Sequence, residues 1–171
     1  MSAVLVMDSP IGGLRLRAEH GALTAVGFDA DPAGAGAVTE DGPADPADRE
    51  LVAEAGRQLA AYFAGDRHDF DLPLAPRGTA FQQRVWDHLL TVGWGTTTTY
   101  GAIAAALGLP PGASRAVGAA NGANPIPVIV PCHRVIGADG TLTGYAGGLP
   151  RKATLLHLEG VRTEADQFRL F

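Results

Sequence analysis

The spacing of apolar residues changes character along the chain, and each change predicts a different element. Val4–Met7 and Leu14–Ala18 run or alternate apolar, with Ser9-Pro10-Ile11-Gly12-Gly13 between them, and Leu23–Phe28 follows His20-Gly21. Strands of that length joined by glycine-bearing turns predict an antiparallel meander. Residues 30–48 hold Ala, Gly, Pro and Asp with little else, which predicts a mobile surface loop. Asp45 and Asp48 then precede Leu51, Val52, Ala55, Leu59, Tyr62 and Phe63, a helical stripe ending near Gly65. The Pro-rich run Asp71–Gly78 reads as a linker. Residues 1–76 are therefore expected to form a small α/β domain and residues 77–171 a second one.

Beyond Thr79, a capping residue, Phe81, Val85, Trp86 and Leu89 share one side of a helix that Gly93-Trp94-Gly95 brings to an end. Four threonines lead into an Ala-rich helix, Tyr100–Leu107, stopped by Gly108-Leu109-Pro110-Pro111-Gly112, and a second short helix covers Ser114–Asn121. Two short helices around a Gly/Pro turn match a helix-turn-helix, as does any αα corner. The second helix is nearly bare: Ala116, Gly118, Ala119, Ala120 and Gly122, with Val117 its bulky residue and Arg115 its long one. Such a surface suits tight helix packing. It suits equally a helix trimmed to enter the B-DNA minor groove, only about 6 Å wide.

Composition adds bounds. The 171 residues are 46% hydrophobic and 18% charged, enough apolar material for a core and too much for wholesale disorder. No apolar run is long enough to span a membrane, and the first residues lack the pattern of a secretory signal, so a cytoplasmic protein without a membrane partner is expected. The single cysteine, Cys132, excludes an internal disulfide and a multi-thiolate zinc site. The net charge of −5 is unevenly distributed: residues 1–75 carry five Arg against thirteen acids, residues 76–171 eight Lys and Arg against five. An acidic chain is a poor general binder of nucleic acid, but a locally basic half can still serve. Lys152 is the only lysine.

The chemistry concentrates in Asn124–Ile136. Val128–Val130 lies between prolines, which predicts an extended chain delivering Cys132. A lone Cys after an apolar run is ordinarily inert core. Here His133 and Arg134 follow at once, polar groups that a sealed core would have to satisfy, and glycine-rich turns on both sides leave room for a ligand. Reaction requires the thiolate, since the neutral thiol is a poor nucleophile. Neighbouring side chains of an extended chain point to opposite faces, so His133 is expected to reach Cys132 through a bridging water, with a carboxylate orienting the imidazole. Glu159, ending an apolar helix that begins near Pro150, is either that carboxylate or a solvated helix end.

The run Asn124-Pro125-Ile126-Pro127 through Pro131-Cys132-His133-Arg134-Val135-Ile136-Gly137, with Leu142-Thr143-Gly144-Tyr145-Ala146-Gly147-Gly148-Leu149, closely resembles the O6-alkylguanine-DNA alkyltransferases. Phe81–Trp86, Thr99-Tyr100-Gly101, Ser114–Gly118, Lys152, Leu155-Leu156 and Glu159-Gly160 extend the resemblance over residues 79–160. It implies an α+β protein: an RNase-H-like antiparallel-sheet domain followed by an all-helical, winged-helix-like domain whose helix-turn-helix binds the minor groove. It also implies single-turnover transfer of an alkyl group from O6-alkylguanine, or O4-alkylthymine, in double-stranded DNA to Cys132, by a monomer without cofactor or metal. His133 and Glu159 would take the thiol proton, Tyr100 would aid flipping and protonate the departing base, and Asn124 would hold the sulfur's surroundings. Arg115 would fill the gap left by the flipped nucleotide, with Ala116, Gly118 and Ala119 lying against DNA. The carbonyls of Cys132 and Val135 would read the exocyclic amine. Pro127, Tyr145, Ala146 and Gly147 would shape the pocket and Lys152 brace its lid. Some relatives have Ser at the position of Ala146, so any role there falls to its backbone N–H. Two other readings compete: a lesion-recognition module without transfer, and a cysteine hydrolase.

Overall fold

The computed structural model describes residues 1–163, and the chain divides into two units, Met1–Arg77 with Pro125–Ile129, and Gly78–Asn124 with the chain from Val130 onward. The last eight residues of the expected second domain lie outside the described residues.

In the first unit, β1 (Ser2–Met7), β2 (Leu14–Glu19) and β3 (Ala22–Gly27) form the meander. His20 and Gly21 join β2 to β3, both with positive φ (52° and 79°), a two-residue turn whose twist matches the strands. Leu14, Leu16 and Ala18 are fully buried while Arg15 faces solvent. Helix α1 (Pro46–Phe63), capped by the Asp45 carboxylate on the Ala47 N–H, covers that face with Val52, Ala55, Leu59 and Tyr62. Burying Val52 and Leu59 is worth about 1.5–3 kcal/mol each. A Cβ on Gly56 would lie 2.6 Å from the Leu5 methyl, so glycine there lets helix and sheet meet closely.

One expectation fails in this unit and another gains detail. The supposed loop over residues 30–48 contains β4 (Val38–Asp41), antiparallel to β1 with Leu5 opposite Val38, and a 3-10 turn at Pro32–Gly34 capped by Asp31. The sheet order is β3-β2-β1-β4. Four residues with Val and Thr suffice once the open edge of β1 offers partners, and Arg49 on α1 pairs with Glu40. The Pro-rich run does end where the first unit gives way to the second, between Arg77 and Gly78, but it is bonded to the first unit along its length. Leu74 bridges Leu23 in parallel, the Leu23 N–H donates to Pro73 O at 2.8 Å, and Gln58 hydrogen-bonds Asp71 in both directions.

The second unit contains α2 (Ala80–Leu89), β5 (Thr98–Thr99), α3 (Tyr100–Ala106), α4 (Ser114–Gly122), β6 (Val135–Ile136) and α5 (Leu149–Leu158). Thr79 and Gln82 cap α2 reciprocally, and α2 stops four residues before Gly93. Its residues Val85, Trp86 and Leu89 are buried, α2 packs on α4, and the Trp86 indole donates to Ala120 O at 2.8 Å. The unit is not wholly helical: β5 and β6 pair in parallel, Thr98 opposite Val135 and Thr99 opposite Ile136. Both pieces are β-branched, and their ladder sets the start of α3 beside the segment that follows Cys132. Among the described residues no helix is long and apolar enough to cross a membrane.

Candidate active site around Cys132

The chain approaching Cys132 is turned, not extended. Val128, buried and β-branched, adopts φ +73°, and Pro131 (φ −82°, ψ 63°) centres a tight turn in which the Cys132 N–H donates to Val130 O at 2.8 Å. Cys132–Arg134 then form one 3-10 turn. Val128 follows Pro127 and does not precede a proline, so no proline restriction holds it extended, and its positive φ runs against the preference of a β-branched residue. The geometric premise that separated the Cys132 and His133 side chains therefore does not hold.

His133 and Glu159 come together, both side chains fully buried, with Nε2 and Oε2 2.7 Å apart. Glu159 is thus the inward carboxylate, placed by the cap of α5 behind buried Leu155 and Leu156. Arg134, to which no role had been assigned, grips the same carboxylate through Nε at 2.8 Å and Nη2 at 3.1 Å, and donates through Nη1 to Val92 O at 2.6 Å. Its signal was in plain view: a guanidinium directly after a buried imidazole needs an acid. With His133 Nε2–H donating to Glu159, Nδ1 carries the lone pair, and it is buried with no hydrogen-bond partner among the described residues. Burial pushes the His133 pKa down, against the Glu159 hydrogen bond, so the imidazole is neutral at pH 7.

Cys132 is 4% exposed, and burial pushes its pKa up to about 11. A hydrogen bond from Asn124, the Lys152 charge and nearby backbone N–H groups pull the other way. The resting group is a thiol that needs a base. Asn124 also donates to Val130 O at 2.8 Å, and Asn121, one turn earlier and not foreseen, donates to Cys132 O at 3.3 Å. The end of α4 is thereby tied to the cysteine turn. The i, i+3 spacing of the two asparagines was the available sign.

Lys152 is fully buried, its ammonium 2.6 Å from both Val135 O and Thr143 O. Burial lowers its pKa to about 8. The two carbonyls expected to face a guanine amine already hold protein donors, since Cys132 O accepts from the Val135 N–H as well as from Asn121. Thr99 caps α3, so Tyr100 opens the helix, half-buried, and a Cβ on Gly118 would sit 3.7 Å from its ring. Arg115, Ala116 and Ala119 are exposed on α4 while Val117 and Ala120 are buried, leaving a solvent face of small residues with one long cation. Tyr145 and Gly147 are half-buried and Ala146 exposed, and Arg151 donates to Gly147 O at 3.0 Å. Pro127 is buried and belongs to the first unit.

Residues 5–76 match the ribonuclease-like domain of 6-O-methylguanine DNA methyltransferase, and residues 80–161 match the DNA-binding domain of the same family. A Mycobacterium leprae methylated-DNA–protein-cysteine methyltransferase is 53% identical over 157 residues, 90% of this chain and 89% of that protein. A Mycobacterium tuberculosis protein of the same name is 62% identical over 109 residues, 64% of this chain and 66% of that protein, so the match spans about two thirds of the relative's length. The crystal structure of Mycobacterium tuberculosis OGT in complex with DNA superposes with a TM-score of 0.76 at 50% identity, covering 95% of this chain and 96% of that one.

Proposed function

The chain belongs to the methylated-DNA–protein-cysteine methyltransferase family, and from that premise we propose that it repairs O6-alkylguanine, and O4-alkylthymine, in double-stranded DNA by moving the alkyl group onto Cys132. The reading is carried by one observation: the lone thiol shares a short turn with a buried, neutral imidazole whose Nε2 is held by Glu159 and whose Nδ1 has no partner among the described residues. The thiol proton passes through a bridging water to that Nδ1, and Glu159 stabilises the imidazolium. Arg134 keeps the carboxylate ionised and oriented.

Sγ then attacks the alkyl carbon, the carbon–O6 bond breaks, and its electron pair moves onto the guanine. Tyr100 gives a proton to the ring nitrogen and recovers one from water. One proton leaves Cys132 and one arrives on the base, so the step balances, and the thioether ends the protein's working life. Asn124 and Lys152 favour the thiolate as it forms. An O6 atom inside a duplex is out of reach, so the nucleotide is flipped out at a cost of a few kcal/mol. Arg115 fills the gap, and the small face of Ala116, Gly118 and Ala119 enters the minor groove. The Val135 carbonyl, Tyr145, Ala146 and Gly147 close on the base, and Lys152 braces that segment through Thr143. We read the protein as acting as a monomer. An acceptor that must stay a free thiol fits a reducing cytoplasm.

Intact mass after incubation with duplex containing O6-methylguanine tests the reading. Wild type should gain the mass of one methyl group, and Cys132→Ala should gain none while still binding the duplex. An unchanged wild-type mass with binding retained would make the protein a lesion-recognition module instead.

A further inference from the structure

We infer that Thr143 is a positioning residue for alkyl transfer, acting through Tyr100. Its Oγ1 donates a 2.9 Å hydrogen bond to the Tyr100 hydroxyl, 43 positions away in sequence, and both residues are half-buried. The partners are held on every side. Thr143 O accepts from Lys152 Nζ at 2.6 Å, and the same ammonium holds Val135 O. Val135 begins directly after the Cys132 turn and pairs with Thr98, two residues before Tyr100. The Tyr100 ring rests along α4 at Gly118, where a Cβ would come within 3.7 Å. The hydroxyl pair is thereby fixed relative to both the thiol-bearing segment and the start of α3.

Each of the two hydroxyls can donate or accept, and when Thr143 supplies the shared proton the phenol keeps its own for another acceptor. The inference rests on the reading of Tyr100 as proton donor to the departing guanine. As sulfur–carbon bonding advances and the carbon–O6 bond breaks, that proton moves to the ring nitrogen and negative charge gathers on the Tyr100 oxygen. The Thr143 hydrogen bond becomes charge-assisted at that moment, so it is stronger in the transition state than in the bound complex. Water later returns a proton to the phenolate. Thr143 touches neither sulfur nor alkyl carbon in this scheme.

Single-turnover transfer from O6-methylguanine duplex, with duplex Kd measured in parallel, decides the matter through four variants: Thr143→Val, Thr143→Ser, Tyr100→Phe and the Thr143→Val/Tyr100→Phe pair. Thr143→Val keeps the shape and loses the hydroxyl, and should slow the maximal rate about tenfold with Kd unchanged. Thr143→Ser should restore the rate to within about twofold of wild type. In the Tyr100→Phe background, Thr143→Val should cost nothing further. A full rate for Thr143→Val beside a slow Tyr100→Phe overturns the Thr143 role and leaves the proton-donor reading standing. A tenfold loss that persists in the Phe background, or one matched by a weaker Kd, overturns it as well. A Tyr100→Phe that transfers normally removes the proton-donor reading and this inference together.

Discussion

The sheet unit buries Ser2, Asp48 and Gln58 among its polar side chains; the helical unit buries Asn121, Asn124, His133, Arg134, Lys152, Glu159 and Thr163. In the first, each group completes a backbone or edge bond. Asp48 accepts the Gly21 N–H at 2.8 Å, Gln58 pins Asp71, and Ser2 accepts from Arg17. In the second, four of the groups are ionisable and three of them share one carboxylate network, His133–Glu159–Arg134. Desolvating a charge costs several kcal/mol, and a buried ion pair seldom repays more than that cost. A fold seeking stability alone would do better with aliphatic residues there. The contrast separates polar groups that finish a scaffold from a buried charged network that scaffold building does not require.

Breaking the charged network should produce the largest effect. Glu159→Gln leaves the Arg134 guanidinium buried without its counter-charge and should cost about 3–5 kcal/mol of unfolding free energy, read by denaturant titration. In the sheet unit, Gln58→Leu removes a neutral group and frees the Asp71 backbone to meet solvent, so about 1 kcal/mol is expected by the same measurement. Equal losses at the two sites would erase the distinction drawn above.

The smallest effect is a slope with pH. Burial lowers Lys152 to about 8 from an unfolded value of 10.5, so the folded chain holds fewer protons there and this group's contribution to stability rises with pH across that window. Cys132, raised to about 11 from 9.0, acts in the opposite sense. Its contribution is complete below about pH 9 and declines as pH climbs to 11. Between pH 8 and 9 the lysine acts nearly alone. Denaturant titrations should show wild type gaining stability over that interval relative to Lys152→Met, and parallel curves would contradict the buried-ammonium account.

Helix starts were legible because their rules act within one turn. Asp45, and Thr79 with Gln82, announce the first turns of α1 and α2, and Thr99 that of α3, through bonds to N–H groups two or three residues on. The His20-Gly21 hairpin and the bare face of α4 belong to the same class. Cys132 and His133 stood out because polar groups directly follow an apolar run. β4 was not, since four unremarkable residues become a strand only where the edge of β1 lies open. The turn at Val128 was hidden too, because a β-branched residue at positive φ contradicts its own local preference.

The remainder of the site depends on partners far apart in sequence: Glu159 is 26 residues from His133, Arg134 is 42 from Val92, and Thr143 is 43 from Tyr100. Residue type and spacing say what each side chain is able to do, because capping, turn chemistry and nucleophilicity reside in a few neighbouring atoms. Which acid an arginine grips, and which hydroxyl a tyrosine meets, follows from how packed elements close over one another, and no local pattern encodes that closure.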